Sequence, residues 1–294
     1  MSGSSRWTRN GASERPTADA HGLRPGGGAY RGRALTTPPR RPAATEPRAP
    51  TASRIPKQRG YALYIRPVIF STTPWLGLTQ CNEAMILVLL CPVGPYFKSG
   101  FVPIKLLVDN THIRAWPGGT GDVKFGGNYG PTVMSQVEAS RMGCSQALFV
   151  YDKDEWVTEA GTMNVFFLIR AAGGGGMQLL TPTLEDGVIL PGVTRLSIIE
   201  IVREWGDAEV VEKMIPMREV AEAAEQGRLL EAFGTGTAAV IQPIGSFLYN
   251  GKDYALPETG FADSSLQMRL TKHLADVQTG EIEWHGWSRK VCDL

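Results

Sequence analysis

A single lysine sits within a run of glycines, Gly118-Gly119-Thr120-Gly121-Asp122-Val123-Lys124-Phe125-Gly126-Gly127-Asn128-Tyr129-Gly130-Pro131-Thr132. Glycines let a backbone approach a ligand closely, and the helix expected to open here offers N–H groups without intrahelical partners. An amine held in such a loop can condense with an aldehyde. A lysine in an ordinary surface loop is the commoner occupant of such a stretch, so the loop alone decides little. Tyr129, five residues on, suits either the same site or a half-buried core position. Further along, Glu159-Ala160-Gly161-Thr162-Met163-Asn164 places a carboxylate before a glycine turn and an apolar strand. Gly192-Val193-Thr194 opens a second helix, whose free N–H groups and positive end suit a phosphate. Gly234-Thr235-Gly236-Thr237 follows a short apolar run. Taken singly, each of these glycine stretches is also what a routine turn looks like.

The elements that must hold these residues are partly legible. Tyr61–Phe70 and Ala84–Val93 read as strands, the latter as a buried one closed by Pro92 and Gly94. Trp116-Pro117-Gly118-Gly119 reads as a connector between domains. A helix is expected over 131–142, strands over Gln146–Tyr151, Asn164–Ala171 and Met177–Thr181, and a polar turn at Asp152–Glu155. Helices are expected over Thr194–Trp205 and Met217–Gln226, closed by Gly206 and Gly227. Leu229–Phe233 reads as a strand running into the last glycine turn. Asp263 or Ser264 is expected to cap a final helix, striped by Leu266, Leu270, Leu274 and Val277 and stopped by Gly280. Strands and helices mix without a βαβ rhythm, which predicts an α+β fold.

Charge is unevenly spread. Residues 1–59 carry 12 Lys/Arg against 3 Asp/Glu, and residues 60–294 carry 18 against 26. The expected folded part is mildly acidic and has no nucleic-acid footprint. Residues 1–58, rich in Arg, Pro, Gly, Ser, Thr and Ala, read as a disordered tail. Its arginines and scarce acids resemble a mitochondrial presequence, against which its prolines argue. The longest apolar run, about ten residues, is half of what a membrane-spanning helix needs. Cys81, Cys91, Cys144 and Cys292 are scattered, without metal spacing, so neither zinc nor a disulfide framework is expected. A mitochondrial or cytoplasmic location is the expectation.

In this order, the motifs around Lys124, Glu159, Leu190-Pro191-Gly192-Val193-Thr194-Arg195 and Gly234-Thr235-Gly236-Thr237-Ala238 resemble the branched-chain amino-acid aminotransferases of the fold-type IV pyridoxal-phosphate class. The likeness runs from about Gly60 to about Val291 and includes Glu283-Trp284-His285-Gly286-Trp287. It implies a two-domain, D-amino-acid-aminotransferase-like fold: a tail over 1–58, a remnant of the small domain over 59–117 and a complete pyridoxal-phosphate domain over 118–294. It implies that Lys124 forms the Schiff base with pyridoxal 5'-phosphate and moves protons at the substrate Cα. Tyr129 is implied to face the cofactor's phenolic oxygen and Glu159 to keep the pyridine nitrogen protonated. Val193, Thr194, Gly236 and Thr237 are implied to bind the phosphate. Thr162 is implied to face the cofactor or the substrate carboxylate, and the Ala238 N–H to contact that carboxylate. Tyr64, Arg66 and Tyr96 match pocket residues, and Leu76 and Leu78 a loop reaching the partner subunit's pocket. The implied activity transfers the amino group of leucine, isoleucine or valine to 2-oxoglutarate in a homodimer.

Two departures accompany the likeness. The family's early strands carry a phosphate-binding arginine, for which 1–58 offers no counterpart; Arg40 and Arg41 sit among prolines. Ala239 and Gln242 stand where some relatives carry a redox CxxC. Alternative readings are an inactive or weakly active paralogue, and a same-fold enzyme acting on D-amino acids, on aminodeoxychorismate or on an unusual aliphatic amino acid.

Overall fold

A computed structural model describes residues 55–58, 61–94 and 102–289, all within a unit spanning Ala49–Leu294. The expectations for 1–54 and for Tyr96 lie outside the described residues.

Strands β1 (Ala62–Ser71) and β2 (Ala84–Val93) form an antiparallel hairpin, in register from Ala62↔Val93 to Ser71↔Ala84. The strands are those expected, but β2 is not buried. Ile69 and its partner Ile86 on one face are 68% and 67% exposed, and Val68 and its partner Leu87 on the other are 38% and 43% exposed, so both faces of the ribbon meet solvent. Two strands make no core by themselves; a face is buried only when another layer lies on it. Among the described residues no hydrogen bond joins this hairpin to the rest of the fold.

A mixed sheet of nine strands, counted among the described residues, carries everything else. Its members are β3 (Ile104–Asp109), β4 (Gln146–Tyr151), β5 (Trp156–Ala160), β6 (Met163–Arg170), β7 (Met177–Pro182), β8 (Glu209–Lys213), β9 (Leu229–Gly236), β10 (Val240–Tyr249) and β11 (Lys252–Ala255). The order is β11-β10-β3-β4-β5-β6-β7-β8, and β9 bonds both β10 and β6. Strands β10, β3, β4, β5, β6 and β9 therefore close into a ring. β3 lies N-terminal to residue 117, yet it pairs in parallel with β4 and β10. The break between the hairpin and the large sheet thus falls before Ile104, not at the expected 117/118 boundary.

Among the described residues four helices cover the sheet: α1 (Thr132–Arg141), α2 (Val193–Trp205), α3 (Met217–Glu225) and α4 (Leu266–Thr279). Strand β6 shows why its sequence is apolar throughout. Val165, Phe167 and Ile169 enter one core cluster with Met217, Val220 and Ala221 of α3. Phe166 and Leu168, on the opposite face, enter another with Ile198 and Val202 of α2 and Leu266, Leu270 and Leu274 of α4. There Phe166 and Phe233 stack with ring centroids 5.2 Å apart. Gly206 (φ 71°) and Gly280 (φ 75°) end α2 and α4 in the left-handed region that L side chains avoid. Ser265 caps α4, accepting from the Met268 N–H, in place of the expected Asp263 or Ser264. Strands β3, β5, β8, β10 and β11 were not expected from the sequence.

Candidate active site

Lys124 enters the site on a loop pinned from behind. Buried Asn128 donates Nδ2 to the carbonyls of Thr120 (2.6 Å) and Val123 (3.0 Å) and accepts from Thr120 Oγ1 (2.7 Å). The residues just before the lysine are thereby fixed. A 3-10 turn, Gly126–Asn128, intervenes between Lys124 and α1, so the loop does not open directly into the helix. Gly121 lets this loop press on the next one: a Cβ there would lie 2.6 Å from the Val188 carbonyl oxygen. The Lys124 side chain is exposed, its Nζ 5.3 Å from the centroid of the half-buried Tyr129 ring.

Glu159 is the last residue but one of β5 and is 2% exposed. Its Oε2 lies 3.0 Å from Arg114 Nη2, and Arg114 is equally buried. Its Oε1 accepts from the Leu190 N–H at 2.7 Å and from Asn164 Nδ2 at 3.5 Å. Burial pushes the carboxyl above its usual range, against which the Arg114 guanidinium, the Leu190 N–H and the Lys124 charge all act. A guanidinium stays charged at any ordinary pH. Among the described residues Arg114 has no other carboxylate, so Glu159 is held as its counter-ion at neutral pH.

The second glycine stretch meets this carboxylate directly. Gly192 precedes α2, no side chain caps that helix, and Val193 and Thr194 are its first two residues. Their N–H groups are free of helix bonds by position. Asn164 donates to the Leu190 carbonyl at 2.9 Å, and Arg114 Nη1 to the Val188 carbonyl at 3.0 Å. A Cβ on residue 192 would lie 2.2 Å from Asn164 Oδ1, so this position requires glycine.

The third stretch is not a loop over most of its length. Gly234, Thr235 and Gly236 complete β9; only Thr237 and Ala238 lie in the exposed turn beyond it. Val240, where β10 begins, has φ 56°, a strained setting for a β-branched residue. Glu159, Asn164 and Thr235 face one another across three strands, Glu159↔Asn164 and Asn164↔Thr235. The exposed Thr162 lies in the β5–β6 turn, its carbonyl 3.9 Å from where a Cβ of residue 236 would stand.

The structure thus gathers Lys124, Tyr129, Glu159, Thr162, Val193, Thr194 and Gly236 along one rim of the ring of strands, with Thr237 and Ala238 next to it. It does not gather the hairpin residues. Tyr64 and Arg66 face each other on β1, the guanidinium 5.0 Å from the ring centroid, and Leu76 and Leu78 are fully exposed. Cavities open elsewhere, at Glu225, Lys252 and Tyr254 and at Asp207, Glu231 and Arg269. Among the described residues, Arg114 Nε, next to Glu159, and Thr235 Oγ1, beyond Asn164, are buried without a hydrogen-bond partner. No cluster of three or more His, Cys, Asp or Glu among the described residues is arranged to hold a metal ion.

Arg114, Asn128 and Asn164 are the site residues that sequence reasoning passed over. Arg114 carried a signal: it is a lone cation flanked by Ile113, Ala115 and Trp116, and such a cation, if buried, demands a carboxylate.

A strand ring with a buried acid at its rim, facing a lysine and a helix start, is the α+β architecture of the fold-type IV enzymes. Residues 35–247 match the family model for amino-transferase class IV, and the chain belongs to the class IV aminotransferase family. It is 45% identical over 239 residues to a branched-chain-amino-acid aminotransferase of Dictyostelium discoideum, covering 80% of this chain and 61% of that one. It is 45% identical over 232 residues to the cytosolic enzyme of that name from Mus musculus, covering 78% and 59%. The chain spans about three-fifths of the length of these curated relatives. Among solved structures, the Escherichia coli branched-chain amino acid aminotransferase matches with TM-score 0.63 and 26% identity, over 77% of this chain and 68% of that one. The Thermoproteus uzoniensis branched-chain aminotransferase with norvaline matches with TM-score 0.59 and 28% identity, over 73% and 64%.

Proposed function

We propose that this chain is a pyridoxal-phosphate-dependent aminotransferase that carries the amino group of a branched-chain L-amino acid to 2-oxoglutarate. The observation that carries the reading is the buried Glu159, held by Arg114, Leu190 and Asn164 within the field of Lys124. Bound pyridoxal phosphate would supply an electron sink for the pair released at the substrate Cα.

The chain's own residues divide the remaining work. The Lys124 amine anchors the cofactor aldehyde and, once released, takes and returns the proton at Cα. The Glu159 carboxylate holds a proton on the pyridine nitrogen; its ionised state is what that role requires. Tyr129 donates to the phenolic oxygen. The N–H groups of Val193 and Thr194, with Gly236 and Thr237, take the phosphate at the positive end of α2. Thr162 and the Ala238 N–H orient the substrate carboxylate.

Substrate class rests on the relatives, whose names specify branched-chain amino acids, and on the norvaline of the Thermoproteus uzoniensis structure. Tyr64, Arg66 and Tyr96 would wall the pocket, and Leu76 and Leu78 would reach the second subunit of a homodimer. Both assignments require the hairpin to meet the rim. The small domain is assigned to the hairpin and the cofactor domain to the large sheet, in a mitochondrial or cytoplasmic protein. A second reading, a weakly active or inactive paralogue, is favoured by the uncovered hairpin.

The deciding experiment mixes purified protein with pyridoxal phosphate and then with L- or D-leucine, following the absorption of the cofactor. Conversion by L-leucine alone is the expected result. Cofactor uptake without conversion would favour the second reading, and no uptake would overturn the first and leave the inactive paralogue. Conversion by D-leucine would point to a D-amino-acid enzyme instead.

A further inference from the structure

The loop 188–192 is gripped through its main chain by three buried side chains from three separate parts of the fold. Arg114, after β3, donates Nη1 to the Val188 carbonyl at 3.0 Å. Glu159, on β5, accepts from the Leu190 N–H at 2.7 Å. Asn164, on β6, donates to the Leu190 carbonyl at 2.9 Å and packs its Oδ1 against Gly192. The three also hold one another, Arg114 to Glu159 at 3.0 Å and Asn164 to Glu159 at 3.5 Å. At the next residue α2 begins, with the N–H groups of Val193 and Thr194.

We infer that Arg114 and Asn164 are positioning residues that couple the acid at Glu159 to the anion-binding start of α2. The inference rests on the proposed cofactor site and adds two residues to which no role has been given. Neither need touch the cofactor. Asn164 is the only one of the three that bonds both the carboxylate and the Leu190 carbonyl and also packs against Gly192. Arg114 supplies the charge that keeps Glu159 ionised, and its planar fork reaches the carboxylate and the Val188 carbonyl at once, which one ammonium cannot do. Removing either member leaves buried polar groups of the loop unpaired, so the loop relaxes and the helix start moves away from its anion-binding position. The acid and the anion site are therefore one unit, although they touch opposite ends of the ligand.

The test compares the full chain with Asn164→Ala, Asn164→Asp, Arg114→Leu and Arg114→Lys. The dissociation constant for inorganic phosphate is read by calorimetry, and amide exchange of residues 188–196 by mass spectrometry. Each is measured at a temperature where circular dichroism shows the variant folded. Asn164→Ala and Arg114→Leu should weaken phosphate binding about tenfold and speed exchange in that segment about tenfold, the loss of one well-made buried bond. Asn164→Asp, which replaces the donor facing the Leu190 carbonyl and Glu159 Oε1 with an acceptor, should be at least as weak and keeps the shape if the alanine variant fails to fold. Arg114→Lys, which keeps the charge, should recover part of the affinity. Folded variants that bind phosphate within about twofold of wild type would overturn the coupling and leave the cofactor site standing. Wild type that binds neither phosphate nor pyridoxal phosphate would overturn both.

Discussion

Two apolar strands of similar length, β2 (Ala84–Val93) and β6 (Met163–Arg170), meet opposite surroundings. β6 lies at the centre of the large sheet with a packed cluster on each face, and Val165 and Phe166 are fully buried. β2 has β1 along one edge, and Ile86, Leu87, Val88 and Leu89 are all exposed. Apolar composition makes a strand in both places, but burial belongs to the layers around it. The difference also divides the site. The residues proposed for the cofactor's ring and phosphate stand on the large sheet or on the loops and helix packed beside it, while Tyr64, Arg66, Leu76 and Leu78, proposed for the substrate pocket, stand on the exposed hairpin.

Mutations can break this contrast in order of expected effect. On the sheet side, Lys124→Ala should lower amino-group transfer by about 10^2-fold to 10^4-fold, the span of a proton-transfer group, with stability unchanged because the side chain is exposed. Stability should respond instead at Phe233, which is fully buried: Phe233→Ala is expected to cost about 3–5 kcal/mol in urea unfolding. Glu159→Gln removes the counter-ion of a buried guanidinium, so it should cost about 3–5 kcal/mol as well as slowing proton transfer. If Glu159→Gln unfolds at the wild-type urea concentration, the ion pair is not holding the rim. On the hairpin side, Ile86→Ser should change monomer stability by no more than about 0.5 kcal/mol. A larger loss would mean that β2 is covered in solution, and its dependence on protein concentration would show whether a second copy covers it.

A pH experiment sharpens the sheet side. Burial works against the ionised form of Asp109, at the end of β3. The N–H groups of His112 and Thr111 and the side chains of Ser135 and His112 more than offset it, so its carboxyl sits below the usual range. A depressed carboxylate stabilises the fold above its unfolded pKa, and that contribution disappears as the pH falls through the folded value. The wild type should therefore lose stability below about pH 4, and Asp109→Asn should lack that component. Parallel pH curves for the two proteins would contradict this.

How much the sequence discloses follows the same division. Strands β4, β6 and β7 and helices α2 and α3 stand out because apolar runs there end at glycine or charged turns. β8, Glu209-Val210-Val211-Glu212-Lys213, does not, because it is a short edge strand with three charged side chains. β10 is hidden by Pro243 and Gly245, and the structure shifts register between Ile244 and Ser246 at that point. β5 is short and carries Thr158 and Glu159 into the core, which makes sense only once Arg114 is opposite. Lys124, Glu159 and the two glycine stretches could be read as motifs because they are local in sequence. The ties through Arg114 and Asn164 could not, since they span 45 and 26 residues and exist only after the ring of strands has closed.

The central claim is that Lys124 is the amine this rim presents to an aldehyde ligand. It is tested most directly by incubating the protein with pyridoxal phosphate, reducing with borohydride and mapping the peptides by mass spectrometry. A phosphopyridoxyl group on Lys124, and on no other lysine at stoichiometric cofactor, is the predicted result. An unmodified Lys124, or equal labelling spread over the surface lysines, would contradict it.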